Sequence, residues 1–325
     1  MSSTMIIGVD EVGKFESVKP NDFGVVVLVS VTDNELIKFG SFLKSIFPTG
    51  HEGIKGKNIA DGDREKILKY IGKKQEIKYS ALMFDSSLTD DQSLQVYQSG
   101  QLKKFLDYID ENIKIINPVL KDEMMLLHNQ MKNLKRADFL KLLLVYLSYH
   151  DWVKVFQFDY LHTNTENDSW QVQHRIDMQN APDKFKNILT SFMTLTINGL
   201  NQDFSISCPK EWGTGHPFHK IHTYQNKDNL FDAKIFWKDF LISNEENEPV
   251  LFLPDLIGNT IYRSITRQKE KKWLKMLKRV KSNRSLCIKL KDKDCYYQIN
   301  GIDKSKNKSN VSEALKSHYK LMKNL

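Results

Sequence analysis

Three aspartates in this chain break apolar stretches. Asp10 follows Ile6–Val9, Asp159 closes "VFQFD", and Asp255 opens the apolar run "FLPDLIG". A carboxylate in such a setting is costly unless something compensates its charge. Carboxylates carried by strand ends and a helix start can meet at one edge of a sheet. Hard oxygen donors gathered there suit Mg²⁺ or Mn²⁺. Two such ions about 4 Å apart can activate a water and stabilise the leaving oxygen of a phosphodiester. Taken singly, each residue has an ordinary reading: Asp255 after Pro254 complements a helix dipole, and Asp159 caps a turn. Their shared context is what points to chemistry. Asp10 is also followed directly by Glu11, and adjacent like charges raise each other's pKa. Strand alternation turns Glu11 to the opposite face. It joins Asp10 only if the chain bends, and Gly13 makes a bend available.

Those residues need elements to hold them. The β-branched run "FGVVVLVSV" predicts a buried strand at 23–31, "EIKYSALMFD" a strand at 76–85, and "WVKVFQFDYL" a strand at 152–161 that ends near Asp159. Helical spacing is present at 33–47 and 61–72, with successive helices across 90–150 and another ending at Gly199. Short strands are expected in "DFSISC" and "FHKIHTY". An apolar helix opens at "LFLPDLIG", and a basic helix, a hairpin around Lys291–Asp294, a polar linker and a final helix follow. The expected fold class is α/β, a mixed sheet flanked by helices. One domain spans 1–265 with a helical insertion at about 90–150, and a basic extension packs on it over 266–325.

With 325 residues, 40% hydrophobic and 27% charged, the chain has the makings of a globular core. No apolar run approaches the ~20 residues of a membrane span, and the first residues do not read as a signal peptide. Three cysteines, Cys208, Cys287 and Cys295, make no disulfide framework, which points to a reducing, cytoplasmic setting. The net charge of +8 is the footprint expected for a polyanion partner. From Arg263 to Lys293 basic residues dominate, with Trp273 among them and Tyr296 and Tyr297 beside them. Arg263, Arg267, Lys271 and Lys275 are candidate phosphate contacts there. Cys208, His216, His219 and His222 fall in one short stretch. In a strand, however, His219 and His222 face opposite sides, which argues against zinc. His219 is instead a candidate to face substrate.

The segment "IIGVDEVGK" resembles the first strand of ribonuclease H type 2 enzymes, and "GIKGKNIADGDREKILKYI" is similar to the lysine-bearing segment and helix that follow in them. Those enzymes carry Gly-Arg-Gly after the acidic pair, whereas this chain has Gly13-Lys14-Phe15. From Ile6 to Arg263 the order of motifs is closer to the family of domains of unknown function numbered 3800. Its members have a ribonuclease H-like fold and are regarded as nucleases. The matching residues are Asp10-Glu11-Val12-Gly13, Lys55-Gly56, His128, Asp159 and the Asp255 helix. The resemblance implies a metal-dependent nuclease using two Mg²⁺ or Mn²⁺ ions. Asp10, Glu11, Asp159 and Asp255 would be its catalytic ligands and Lys55 a phosphate contact, joined by Lys14 and Lys57, with His128 facing substrate. The partner would be DNA or RNA rather than a membrane, and a protein partner in a multi-component system is compatible. Two alternatives stay open: a non-catalytic nucleic-acid-binding or complex-forming protein on the same fold, and a ribonuclease H type 2-like enzyme acting on RNA/DNA hybrid.

Overall fold

A computed structural model describes residues 2–15, 22–50, 54–86, 89–111, 118–161, 169–177, 183–203, 223–224, 227–231, 236–243, 248–266, 272–277, 283–287 and 297–298. Strand β1 (Ser2–Gly13) pairs antiparallel with β2 (Phe23–Thr32), and β2 pairs antiparallel with β3 (Lys78–Asp85). On the other side of β1 lies β4 (Ser169–Asp177), in parallel register. A small separate ribbon is formed by β5 (Thr223–Tyr224) and β6 (Lys227–Phe231). Beyond β4 runs β7 (Phe240–Ser243), again parallel. At the opposite edge β8 (Asn283–Cys287) lies parallel to β3, and β9 (Tyr297–Gln298) closes the predicted hairpin against β8. The sheet order is β7-β4-β1-β2-β3-β8-β9. The architecture is therefore α/β with an open mixed sheet.

Both faces are covered, which is why β2 is an unbroken apolar run rather than an alternating one. Val25, Val27, Val29 and Val31 face one core, built with α1 (Asp33–Ile46), α2 (Asp61–Ile71) and a C-terminal helix at Phe252–Thr266. Val26 and Leu28 face the other core, with Met5, Ile7 and Val9 of β1. That second layer consists of α3 (Asp91–Glu111), α4 (Pro118–Lys132), α5 (Arg136–Leu161) and α6 (Asp183–Asp203). The helix at Phe252–Thr266 is α7, and α8 (Lys272–Leu277) follows it, burying Trp273 and Leu277 in the first core. Helix α1 is capped by Thr32, whose Oγ1 accepts from the Glu35 N–H at 3.3 Å. No helix among the described residues is long and apolar enough to cross a membrane.

One expectation about the sheet is corrected. The segment 152–161 is not a strand; it is the last part of α5. Its alternating valines and aromatics suggest β structure, yet no glycine or proline separates it from the helix that precedes it. Helix α5 is apolar all round, so periodicity does not mark it either. The strand beside β1 is instead β4, where Trp170, Val172, His174 and Ile176 alternate with Gln171, Gln173 and Arg175. Strand β4 is anchored by His174, which stacks on Trp237 at 4.5 Å and donates from Nε2 to the Phe236 carbonyl at 2.7 Å. Arg175 adds ion pairs to Asp239 at 2.7 Å and Glu248 at 3.0 Å. The expected strands at 203–208 and 218–224 lie largely outside the described residues, with Asp203 closing α6 and Thr223–Tyr224 forming β5. The polar linker and the final helix are also outside them.

Strand β1 ends where Gly13 takes φ +119°, a conformation that side chains rarely tolerate. A Cβ there would also stand 2.6 Å from the Phe23 carbonyl oxygen. At Gly40, in the middle of α1, a Cβ would meet nothing within 4 Å. Gly13→Ala is expected to lower stability by about 1–3 kcal/mol, and Gly40→Ala to raise it by about 1 kcal/mol. Urea unfolding monitored by circular dichroism measures both.

Candidate functional site

The first helical turn of α7, the end of β4 and the C-terminal part of β1 bring three carboxylates together. Asp10 does not terminate β1; the strand continues regularly to Gly13. Its side chain therefore lies on the α7 face, between Gly8 and Val12, whose neighbours there are Val250 and Gly258. The last registered pair of the two parallel strands is Val9 with Ile176. Asp10 and Asp177 follow that pair on both strands, side by side on the same face. Asp255 reaches toward them from α7, where Pro254 before it suits a first turn. Asp10 and Asp255 are only 8% and 5% exposed.

The chain supplies a donor or cation for each acid. The Gly56 N–H donates to Asp255 Oδ2, and Asn259, one turn along α7, donates from Nδ2 to Asp255 Oδ1 at 2.5 Å and to its carbonyl at 3.0 Å. Gly56 has no alternative residue here: a Cβ would lie 2.9 Å from both Asp255 Oδ2 and the Asp255 carbonyl oxygen. The turn at Gly56–Asn58 is held by fully buried Arg64, which donates to the Gly56 carbonyl and, at 2.9 Å, to Thr260 Oγ1. Lys55, just before that turn, stands 3.6 Å from Asp177 Oδ2. Lys55-Gly56 therefore joins Asp177 to Asp255.

Glu11 turns to the α5 side, as strand alternation requires. Lys141 of α5 donates to its Oε1 at 2.5 Å. Glu11 Oε2 is buried and has no hydrogen-bond partner among the described residues. Burial holds the Asp10 carboxyl well above the usual carboxylate range, and the charges of Asp255, Asp177 and Glu11 push it the same way. The Glu11 N–H, donating to Asp10 Oδ1 at 2.6 Å, opposes that shift. Burial also raises the Glu11 carboxyl, with Lys141 opposing. Asp10 and the three acids whose charges raise its proton affinity form a set that a divalent cation would relieve, and their all-oxygen character suits a hard ion. As they stand, no three His, Cys, Asp or Glu side chains among the described residues converge closely enough to hold one ion. Ligation would require Asp177 and Asp255 to exchange present partners.

The expected site residues separate as follows. Asp10 and Asp255 come together, and Glu11 adjoins them from the other face. Asp159 lies eighteen residues beyond Lys141 on the same helix, a rise of roughly 27 Å. The strand-end position assigned to it belongs to Asp177. Lys55 is at the centre, while Lys14 and Lys57 are exposed beside β1 and in the Gly56 turn. Arg263 of α7 stands 3.8 Å from Asp61. His128 is buried on α4, packed against Phe105 at 6.3 Å between ring centres. Lys275 is carried by α8, and Arg267, Lys271, His219 and the other ligand candidates near it, Cys208, His216 and His222, lie outside the described residues. Sequence reasoning missed Asp177, Asn259, Arg64 and Lys141. The alternation in "SWQVQHRID" is the one local signal that marked Asp177. No family model, curated protein or solved structure matches this chain.

The Asp10 shift has a definite sign. A carboxyl whose pKa is raised on folding contributes full stability below its unfolded pKa and loses it as pH rises through the folded one. Asp10→Asn in EDTA is therefore expected to leave stability little changed at acidic pH. At pH 8 it should raise the melting temperature by on the order of 2 °C or more. Thermal melts at the two pH values check this.

Proposed function

We propose that this chain is a metal-dependent nuclease on a ribonuclease H-like fold, hydrolysing phosphodiester bonds of DNA or RNA. The observation that carries the reading is the meeting of Asp10, Asp177 and Asp255 at one sheet edge, where each raises the proton affinity of Asp10 or is its neighbour in register. A mixed sheet covered by helices, with acids on adjacent parallel strands, supports the fold assignment. Asp10, Asp177 and Asp255 would hold Mg²⁺ or Mn²⁺, and Glu11, paired with Lys141 on the opposite face, would join them only if β1 bent. Such ions, when bound, supply Lewis acidity and an activated water. The chain's own groups then have separate tasks. Asn259 and the Gly56 N–H orient Asp255, so its carboxylate is presented in one rotamer. Lys55, half exposed beside Asp177, is placed to meet a phosphate oxygen once it leaves that carboxylate. Exposed Lys14 and Lys57 extend the same positive rim.

A second reading is favoured by the ion pairs Lys55–Asp177 and Lys141–Glu11. A centre neutralised by its own lysines would keep the fold and bind nucleic acid without cutting it. Cleavage of labelled single-stranded DNA, duplex DNA, RNA and hybrid in Mg²⁺ or Mn²⁺ separates the two. The nuclease reading expects EDTA to stop cleavage and Asp177→Ala to reduce it about 100-fold or more. Asp159→Ala should keep it. Mg²⁺ or Mn²⁺ should also raise the melting temperature of the wild type more than that of Asp177→Ala. Four intact substrates and no cation-dependent shift would sink the nuclease reading.

A further inference from the structure

Helices α3 and α4 and the turn into α5 enclose a pocket of about 480 Å³ that the carboxylate centre does not use. The volume is that of a small-ligand site. Lys132, Lys135 and Arg136 line it, no acidic side chain among the described residues does, and Gln95, Ser99 and His128 add neutral hydrogen-bonding groups. His128 is 9% exposed, and its Nδ1 is buried with no hydrogen-bond partner among the described residues. A buried ring nitrogen left without a partner is costly unless a ligand or water completes it. The turn that carries the three cations is not loose. Gln98 of α3 donates from Nε2 to the Met131 carbonyl at 3.2 Å, and the Asn133 and Leu134 N–H groups close back on Gln130 and Met131. Arg136, 3.3 Å from Asp91 of α3, begins α5, so the first turn of a long helix opens at the same place. Its dipole favours negative charge there.

We propose that this pocket binds the phosphate of a nucleotide, with the adjoining sugar or base filling the remaining space. Cations, amides, a hydroxyl and an imidazole in a concave site recognise a phosphate ester better than an isolated carboxylate, because more donors can surround it. Lys141, the partner of Glu11, lies five residues beyond Arg136 on α5, a rise of roughly 8 Å. Helix α5 thus runs from the pocket to Glu11, on the face of β1 opposite Asp10. A link from this pocket to cleavage rests on the nuclease reading; phosphate binding itself does not.

The test is binding in EDTA, where metal-dependent cutting is blocked. The probes are short 3′-fluorescein-labelled oligodeoxythymidine and oligouridine, each with and without a 5′-phosphate, with thymidine and uridine 5′-monophosphates as competitors. Wild type is compared with Lys132→Glu/Lys135→Glu, His128→Leu and, as a surface-charge control, Lys44→Glu on α1 by fluorescence anisotropy, and circular dichroism verifies folding. The double charge reversal is expected to weaken binding about tenfold or more, and His128→Leu measurably, while Lys44→Glu keeps it. Dependence on the 5′-phosphate identifies a strand end, and equal competition by a monophosphate identifies a free nucleotide; either supports the pocket. The proposal is overturned if wild type binds none of the probes, or if folded pocket variants bind as wild type does. Binding through the pocket without cleavage would overturn the nuclease reading alone. Cleavage by an enzyme whose binding ignores the pocket variants would overturn the pocket alone.

Discussion

The structure is organised around a repulsion. Asp10 sits on an interior strand of the sheet, on a face otherwise made of valines and helix, with Asp177 and Asp255 turned toward the same place. Little water is available to screen these charges, so the protein must supply donors and cations or leave a carboxyl protonated. Much of the unusual local geometry answers that need. Gly56 is small enough to bring its N–H against Asp255. Arg64 is fully buried to hold the Gly56 carbonyl, and Asn259 stands one helical turn from the acid it serves. These contacts are more consistent with a centre prepared for charge than with a hydrophobic core that tolerates stray acids.

The two faces of β1 divide the work. Asp10 looks toward α7, and its neighbour Glu11 looks toward α5 and Lys141. The adjacent acids that open the chain are thus not a side-by-side pair in space; one strand step separates them onto two layers. Charge still couples them through the short distance across the sheet. This division leaves the acidic cluster on one side and the basic pocket of the helical layer on the other. Helix α5 connects them, bearing Arg136 at the pocket and Lys141 at Glu11.

Much of the fold was legible along the chain. The buried β2 run, the amphipathic α1, the meander with β3 and the helical stretch before residue 150 follow from local pattern. Asp255 was legible too, since a proline and an acid at the head of an apolar stretch describe a helix's first turn. The end of α5 was not. Aromatic and β-branched residues there favour a strand locally, and only packing within the helical layer overrides that preference.

By itself the sequence determined that two acids, Asp10 and Asp255, stand where buried charge needs an answer, and that strands and helices alternate around them. The third acid was decided by tertiary structure. A parallel neighbour is paired across long sequence separation, here Val9 with Ile176, and nothing local to either segment states that partnership. Asp159 closes an apolar, aromatic-rich stretch, and Asp177 closes an alternating one. One was drawn into a helix that carries it away from the centre, and the other was set in register beside Asp10. Strand pairing made that choice, because only the assembled sheet can hydrogen-bond β4 to β1 and bury both of its faces.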